Sequence, residues 1–227
     1  MTPAPSDPSA PLTRSPADAL RRGVRIVRHL DRHVLQWIYG FDRWHLGHAG
    51  EAYARRIVEF LNGRPEEHRR AVVEIGCGLG DILRGLRFRT RLGLDRDAGV
   101  LAAARVLAVL RGQGRIAFEV FEFPDARLQG RHDAIVLVNW IHQIPPEPLT
   151  EALHTYFAGH LAPGGAIVVD TIRDPAYMYN HDIEALAPLG ARVQHVGTFA
   201  RHREVWALVK PPDALDAAAT GPFTRPG

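Results

Sequence analysis

The stretch VVEIGCGLGD, from Val72 to Asp81, decides the fold of this 227-residue chain. Residues Ala71 to Ile75 form a short apolar run typical of a buried strand, and residues Leu79 to Leu86 have the pattern of a short helix. The glycines therefore lie in a strand-to-helix turn. Because glycine adopts positive φ angles and lets a ligand approach the backbone closely, this turn is a candidate ligand-binding loop.

From this turn onward, the chain alternates between predicted strands and predicted helices. The predicted strands are Ala71–Ile75, Arg91–Leu94, Arg115–Phe121, Ala134–Val138, Gly165–Asp170, Arg192–Phe199 and Glu204–Val209. The predicted helices between them are Leu79–Leu86, Ala98–Leu110, a segment from Leu149 to Leu161, and Asp182–Leu189. This alternation predicts an α/β fold with a mostly parallel sheet covered by helices on both faces. Only residues 200–203 separate the last two strands, which is too short for a parallel crossover, so these strands should form an antiparallel hairpin.

The ends of the chain differ from this central part. Residues 1–16 are rich in proline and should form a disordered tail, and residues 211–227 should form a second flexible tail. Residues 17–66 should form an N-terminal helical extension, with helices near Leu20–Ile38 and Gly50–Leu61. Residues 67–210 should form the main domain.

Composition bears on the cellular compartment and on the classes of partner that the protein could have. The net charge is +3, the pI is about 9.4, and Cys77 is the only cysteine, so no disulfide can form within the chain. The apolar runs are too short to span a bilayer, which favours a cytoplasmic protein without a membrane partner. No run of basic residues interleaved with aromatic residues occurs, and Arg84 to Arg91 comes closest to one. Most of its arginines should face water, so no nucleic-acid partner is expected.

Asp95 ends the second predicted strand, beside the glycine turn. A carboxylate at this position can accept hydrogen bonds from both hydroxyl groups of a ribose. Asp95 could instead cap the helix that starts near Ala98, although Asp97 is better placed for that cap. Asp81 follows the third glycine, where a dinucleotide-binding fingerprint has glycine or alanine, so the spacing departs from that of nicotinamide enzymes.

With these features, the segment from Val72 to Lys210 resembles the class I S-adenosylmethionine-dependent methyltransferase family. The matching motifs are the glycine loop, the Leu94-Asp95 strand end, the stretch Ile135 to Pro146, and the sequence LAPGG from Leu161 to Gly165. The resemblance implies a seven-stranded, mostly parallel sheet with a C-terminal antiparallel hairpin. It also implies S-adenosyl-L-methionine as the cofactor.

The resemblance further implies a role for individual residues. Glu74 should lie near the amino end of the cofactor's methionine, and Asp95 should hold the ribose. The adenine should lie beside Phe121–Phe123, with Glu122 or Asp125 near its amino group. Phe123 covers the adenine ring or belongs to the ordinary core. The expected cofactor-binding residues are Glu74, Gly76, Cys77, Gly78, Gly80, Asp95, Arg96, Glu122, Phe123, Asn139 and Trp140.

The residues after the fourth predicted strand bear on the methyl acceptor. The sequence from Asn139 to His142 lacks the two prolines of the nucleic-acid amino-methyltransferase motif, which favours a small-molecule acceptor with an oxygen, nitrogen or other nucleophile. A catalytic metal is not expected, because Asn139 stands where metal-dependent relatives have a carboxylate, although Asp170 and Asp174 follow strand five. The acceptor pocket should be built by Tyr39–His48, which is either a lid or a packed joint, and by Thr171–Asp182.

Three histidines are candidates for a general base. His142 follows Asn139 closely, while His45 and His181 lie on the expected pocket segments. His142 could instead hydrogen-bond the Pro145-Pro146 turn. Two other functions remain open at this point: a non-catalytic methyltransferase-like partner protein, and a nicotinamide-dependent oxidoreductase. The sequence leaves the oligomeric state open.

Overall fold

A computed structural model of the chain describes residues 31–46, 51–124 and 128–212. The strands are β1 Ala71–Ile75, β2 Thr90–Asp95, β3 Ile116–Val120, β4 His132–Leu137, β5 Leu161–Ile172, β6 Arg192–Phe199 and β7 Arg203–Val209. The helices are α1, residues 31–39, and then α2 Ala52–Asn62, α3 Asp81–Gly85, α4 Ala98–Leu110, α5 Pro146–Thr155 and α6 Ile183–Leu186. The predicted tail at 1–16, the helical pattern before residue 31, and His48 and Asp125 lie outside the described residues, as does all but the start of the tail predicted at 211–227.

The seven strands form one sheet in the order β3-β2-β1-β4-β5-β7-β6. Strands β1 to β5 pair in parallel, whereas β7 runs antiparallel to both β5 and β6. The predicted fold class, including the C-terminal antiparallel hairpin, is confirmed. At the centre, Ile75 of β1 is level with Leu94 of β2 and with Leu137 of β4. Residues that follow these three strands therefore meet at one edge of the sheet.

The core lies in two layers because both faces of the sheet are covered. Successive side chains of a strand point to opposite faces, so Val72 packs on one side and Val73 on the other. The Val72 side is covered by α2, α3 and α4, and the Val73 side by α5 and α6. Burial on both faces explains why β1 and β4 are almost continuously apolar in sequence.

The elements around β5 differ from the sequence prediction. Helix α5 ends at Thr155, a π-helical turn covers Tyr156–His160, and β5 already begins at Leu161. Lys210 stabilises this junction, because its Nζ donates to the carbonyl oxygens of Phe157, Ala158 and Leu161 at 2.7, 3.2 and 3.1 Å. The Phe157 and Ala158 carbonyls lie at the end of the helical segment, where carbonyl groups lack intrahelical partners, and the Leu161 carbonyl lies at the start of β5.

The basic segment from Arg84 to Arg91 is less exposed than predicted. Arg84 is buried, and its guanidinium pairs with the Asp81 carboxylate and donates to the Leu79 carbonyl. Arg91 is half-buried and donates to backbone carbonyls of α3 and the residue after it. The expectation of exposure was wrong for these two, because Arg84 pairs within α3 and the loop before it, while Arg91 connects β2 to α3.

No helix within the described ranges has the length and apolar character needed to cross a membrane.

Candidate active site

The glycine loop connects β1 to α3 through backbone conformations that favour glycine. Gly76, Gly78 and Gly80 have φ angles of 74°, 51° and 72°. A side chain at Gly76 would also collide with the Trp140 indole, which packs directly over it. Because Gly80 is left-handed, α3 begins at Asp81 and not at Leu79. The loop therefore needs glycine for both conformation and space.

Asp95 joins the end of β2 to the glycine loop. Its Oδ2 accepts a hydrogen bond from the Gly78 amide at 2.9 Å, and its Oδ1 accepts one from the Asp97 amide at 3.1 Å. Asp97 caps α4 through the amides of Gly99 and Val100, as the sequence predicted. The cap is thus supplied by Asp97, while the buried Asp95 carboxylate borders the cleft beside the loop.

Glu74 is a buried carboxyl group at the next-to-last position of β1, just before the loop. Its Oε2 has no hydrogen-bond partner among the described residues. Burial raises the pKa of Glu74 well above its usual value, and the negative charges of Asp81 and Asp95 add to this effect. A buried acceptor without a partner is costly, so a positively charged or donating ligand group in the cleft would stabilise Glu74.

Aromatic side chains border the cleft beyond β3 and β4. The Phe123 and Trp140 rings meet edge to face with centroids 5.0 Å apart. The Trp140 Nε1 donates to the Ile75 carbonyl at 2.7 Å, which fixes the indole against the loop. Phe121 and the exposed Glu122 lie on the same side of the cleft, so this end offers flat apolar surface together with a carboxylate.

Asn139 follows β4 in a left-handed conformation, with φ at 77°. Its backbone amide donates to Asp170 Oδ1 at 2.8 Å, and its side-chain oxygen accepts from Arg203 Nη2 at 2.9 Å. Arg203 also pairs with the buried Asp170 and lies over the Tyr53 ring, with its guanidinium carbon 4.3 Å from the centroid. This network holds Asn139 at the cleft and connects it to α2.

The segment after α1 covers the glycine loop. Asp42, Trp44 and His45 line the cleft from this segment. On one side Arg32 of α1 pairs with Asp81 through two hydrogen bonds, and on the other the Tyr39 carbonyl lies against Gly99. The cover is therefore attached to both α3 and α4.

These residues surround one cleft at the carboxyl ends of β1, β2 and β4. The described residues that line it are Asp42, Trp44, His45, Tyr53, Ala54, Glu74, Ile75, Gly76, Cys77, Gly78, Leu79, Asp81, Ile82, Asp95, Arg96, Asp97, Phe121, Glu122, Phe123, Val138, Asn139, Trp140, Gln143 and Ile144. All of the expected cofactor-binding residues are in this set except Gly80. Gly80 packs against the Phe118 ring instead.

Known structures share this architecture. An O-methyltransferase family protein from Burkholderia thailandensis gives a TM-score of 0.57 and 19% identity, covering 71% of this chain and 57% of that one. CalS10 from Micromonospora echinaspora, an amino pentose methyltransferase, gives 0.58 and 15%, covering 73% and 93%. Magnesium protoporphyrin IX methyltransferase from Synechocystis, solved with S-adenosylmethionine bound, gives 0.55 and 16%, covering 79% and 97%. This chain has the class I S-adenosylmethionine-dependent methyltransferase fold.

The chain spans 57% of the length of the Burkholderia protein, and nearly all of the length of the other two. No protein-family model and no curated protein sequence matches it.

Within this methyltransferase fold, two of the three candidate bases lie away from the cleft. His142 is buried with its ring against that of Tyr177, their centroids 4.2 Å apart. Burial lowers its pKa to about 4, and the charge of Arg203 and the neighbouring His181 act in the same direction. The His181 Nε2 lies 2.9 Å from the Ile141 carbonyl. These contacts attach the turn at 141–143 to the loop after β5, and only His45 among the three lines the cleft.

The loop after β5 also differs from the predicted acceptor pocket. None of the described residues from Thr171 to Asp182 lines the cleft. Several of them instead border a separate depression on the α6 side of the sheet. Thr171 Oγ1 donates to the His181 carbonyl. This hydrogen bond holds the loop back along β5 and away from the cleft.

Sequence reasoning missed several residues that line the cleft. Tyr53 and Gln143 carry no local signal, since their positions depend on how α2 and the 141–143 turn pack. The Arg32–Asp81 pair joins residues 49 positions apart in the chain. The sequence signal for this pair was Asp81 itself, since an acidic residue directly after a glycine loop suggests a basic partner.

Among the described residues, no group of three or more His, Cys, Asp or Glu side chains is arranged to bind a metal ion. Asp170, a candidate ligand by its position at the end of the predicted fifth strand, is paired with Arg203.

Proposed function

We propose that this protein binds S-adenosylmethionine in the cleft and transfers its methyl group to a small molecule. The observation that carries the proposal is the Asp95 carboxylate, held beside the glycine loop by the Gly78 amide at the carboxyl end of β2. Such a carboxylate suits the two hydroxyls of a ribose. The proteins with this fold that are cited above are methyltransferases.

The charge of the cleft fits this cofactor. The lining carboxylates are Asp42, Glu74, Asp81, Asp95, Asp97 and Glu122, and the lining arginine is Arg96. S-adenosylmethionine carries an ammonium group and a sulfonium group, which such a cleft attracts. The partnerless oxygen of Glu74 would accept a hydrogen bond from the ammonium group.

When bound, the cofactor supplies a methyl group that is already reactive because it is attached to a positively charged sulfur. The chain's own residues then bind the cofactor and the methyl acceptor, orient them relative to each other, and exclude water. Asp95 holds the ribose, and the Phe123 and Trp140 rings cover the adenine end. Asn139, fixed by Asp170 and Arg203, borders the methyl-transfer end at the switch point of the sheet.

Calorimetric titration of the whole chain with S-adenosylmethionine, S-adenosylhomocysteine and NAD tests the proposal. We expect both adenosyl compounds to bind and NAD to give no heat of binding. Asp95→Ala should weaken binding of S-adenosylhomocysteine by about 1.5–3 kcal/mol, because hydrogen bonds to a charged acceptor are lost. Gly78→Val should abolish binding, since valine strains a backbone at φ 51° and its side chain presses on the His45 ring beside the cleft.

Glu151→Ala is the matched control, because Glu151 is an exposed carboxylate of α5 that does not line the cleft. It should bind S-adenosylhomocysteine as the wild type does. Binding of NAD in preference to the adenosyl compounds, or wild-type affinity in folded Asp95→Ala protein, would contradict the proposal.

A further inference from the structure

His45 places an imidazole ring over the glycine loop. It lies in the 3-10 turn Arg43–Leu46, which is anchored by the buried side chains of Phe41 and Leu46. A Cβ atom added to Gly78 would lie 3.1 Å from His45 Nδ1. His45 is 8% exposed, so nearly all of its surface is covered by the protein. A ring nitrogen therefore lies close to the loop backbone, at the border of the cleft.

Two aromatic neighbours fix the orientation of this ring. The Phe41 ring meets it edge to face with centroids 6.1 Å apart, and the Trp44 ring lies beside it at 4.6 Å. The His45 amide also donates to the Asp42 carbonyl at 3.1 Å. An imidazole that is already oriented loses little entropy when it binds a ligand.

His45 and Asp95 face the same part of the cleft. Gly78 lies next to both residues. Its backbone amide donates to Asp95 Oδ2, and its Cα atom faces His45 Nδ1. The His45 ring makes no hydrogen bond to another described residue in the structure. Burial lowers its pKa against the opposing effect of the Asp95, Asp97 and Asp42 charges, so the ring is neutral at neutral pH. A neutral imidazole offers one donor and one acceptor.

We propose that His45 and Asp95 form a two-sided clamp on the cofactor ribose, in which Asp95 binds one or both hydroxyls and His45 binds one of them from the opposite side. The clamp rests on the proposed function. It makes His45 a specificity-determining residue for a ribose hydroxyl and not a base that deprotonates the methyl acceptor. Its position beside Gly78 and Asp95, at the ribose end of the cleft, favours this role.

Deoxy analogues of S-adenosylhomocysteine test the clamp without any knowledge of the acceptor. The 2′-deoxy and 3′-deoxy analogues are titrated against the wild type and against His45→Phe, which keeps an aromatic ring but has no ring nitrogen. The wild type should bind S-adenosylhomocysteine about tenfold or more tightly than each analogue. His45→Phe should show a weaker preference for one of the two hydroxyls, the one that His45 binds, and should bind the analogue without that hydroxyl about as tightly as the wild type does.

His33→Phe is the control, because His33 is an exposed residue of α1 that does not line the cleft. It should retain both preferences. His45→Asn keeps a polar group and supplies a second variant in case phenylalanine prevents folding. It should retain more of the affected preference than His45→Ala, which removes the ring and should weaken that preference as His45→Phe does.

The outcomes separate the clamp from the proposed function. If the wild type binds S-adenosylhomocysteine and folded His45→Phe discriminates against both analogues as strongly as the wild type does, the ring only packs against the loop and the clamp is wrong. If the wild type does not bind S-adenosylhomocysteine, the proposed function is wrong and the clamp falls with it.

Discussion

His142 has an environment that opposes a positive charge. The ring is 5% exposed and lies against Tyr177, and burial together with Arg203 and His181 lowers its pKa to about 4. In the unfolded chain its pKa is near 6.5. Between these two values the unfolded state binds the proton and the folded state does not. The stability associated with His142 is therefore complete above pH 6.5 and is lost as the pH falls toward 4.

We therefore expect the free energy of unfolding to decrease by about 1–3 kcal/mol through His142 as the pH falls from about 6.5 to about 4. His142→Gln should flatten this part of the pH profile, measured by urea unfolding at a series of pH values. His154→Gln, at an exposed position of α5, is the control and should leave the profile unchanged. A variant of His142 with the wild-type slope would show that other groups cause the pH dependence.

The same residue marks a limit of sequence analysis. His142 was predicted near the methyl-transfer end because it follows Asn139 so closely. The chain turns between them, since Asn139 is left-handed and Ile141–Gln143 is a 3-10 turn, and this directs the ring toward the loop after β5. A turn of this kind depends on the Asp170 hydrogen bond to the Asn139 amide, which comes from a distant part of the chain.

Among the elements, α1 and the turn at Arg43–Leu46 form the cover of the cleft. The loss of helical period after Ile38 correctly predicted a break there, and Trp44 and His45 line the cleft. Whether the cover is a lid stays a prediction. Its contacts with the rest of the described protein include the Arg32–Asp81 pair and the packing of Tyr39 on Gly99. Both contacts are made by α1 and not by the turn over the loop.

Hydrogen exchange of residues 39–46 measures this directly. With saturating S-adenosylhomocysteine, the amides of this segment should exchange about tenfold or more slowly, because local opening of the cover would require release of the ligand. The amides of β1 serve as the reference, since this central strand is buried in the sheet and should exchange slowly in both states. Equal protection with and without ligand would identify the segment as a packed joint.

Across the whole molecule, the sheet was predictable because its signals are local. Strands buried on both faces read as apolar runs, and the short connection before Arg203 allowed only an antiparallel pairing. The cleft was predictable where it follows directly from strand ends, as for Asp95. It was not predictable where a residue's position depends on how a helix packs on one face of the sheet, as for Tyr53 on α2. The separate depression beside α6 was missed for the same reason, since its walls come from β5, β7 and the loop between β5 and α6.

Lys210 gives the chain a chemical reporter of its own folding. It is the only lysine, and its ammonium group directs its three protons to three backbone carbonyls while lying 5.4 Å from the centre of the Phe157 ring. An acylating reagent needs this nitrogen deprotonated and free. Acetylation of Lys210, followed by mass spectrometry, should therefore be about tenfold or more slower in the folded protein than in urea. Equal rates would mean that the junction between α5 and β5 opens freely, whereas a slow rate makes one amine a site-specific measure of how often that junction comes apart.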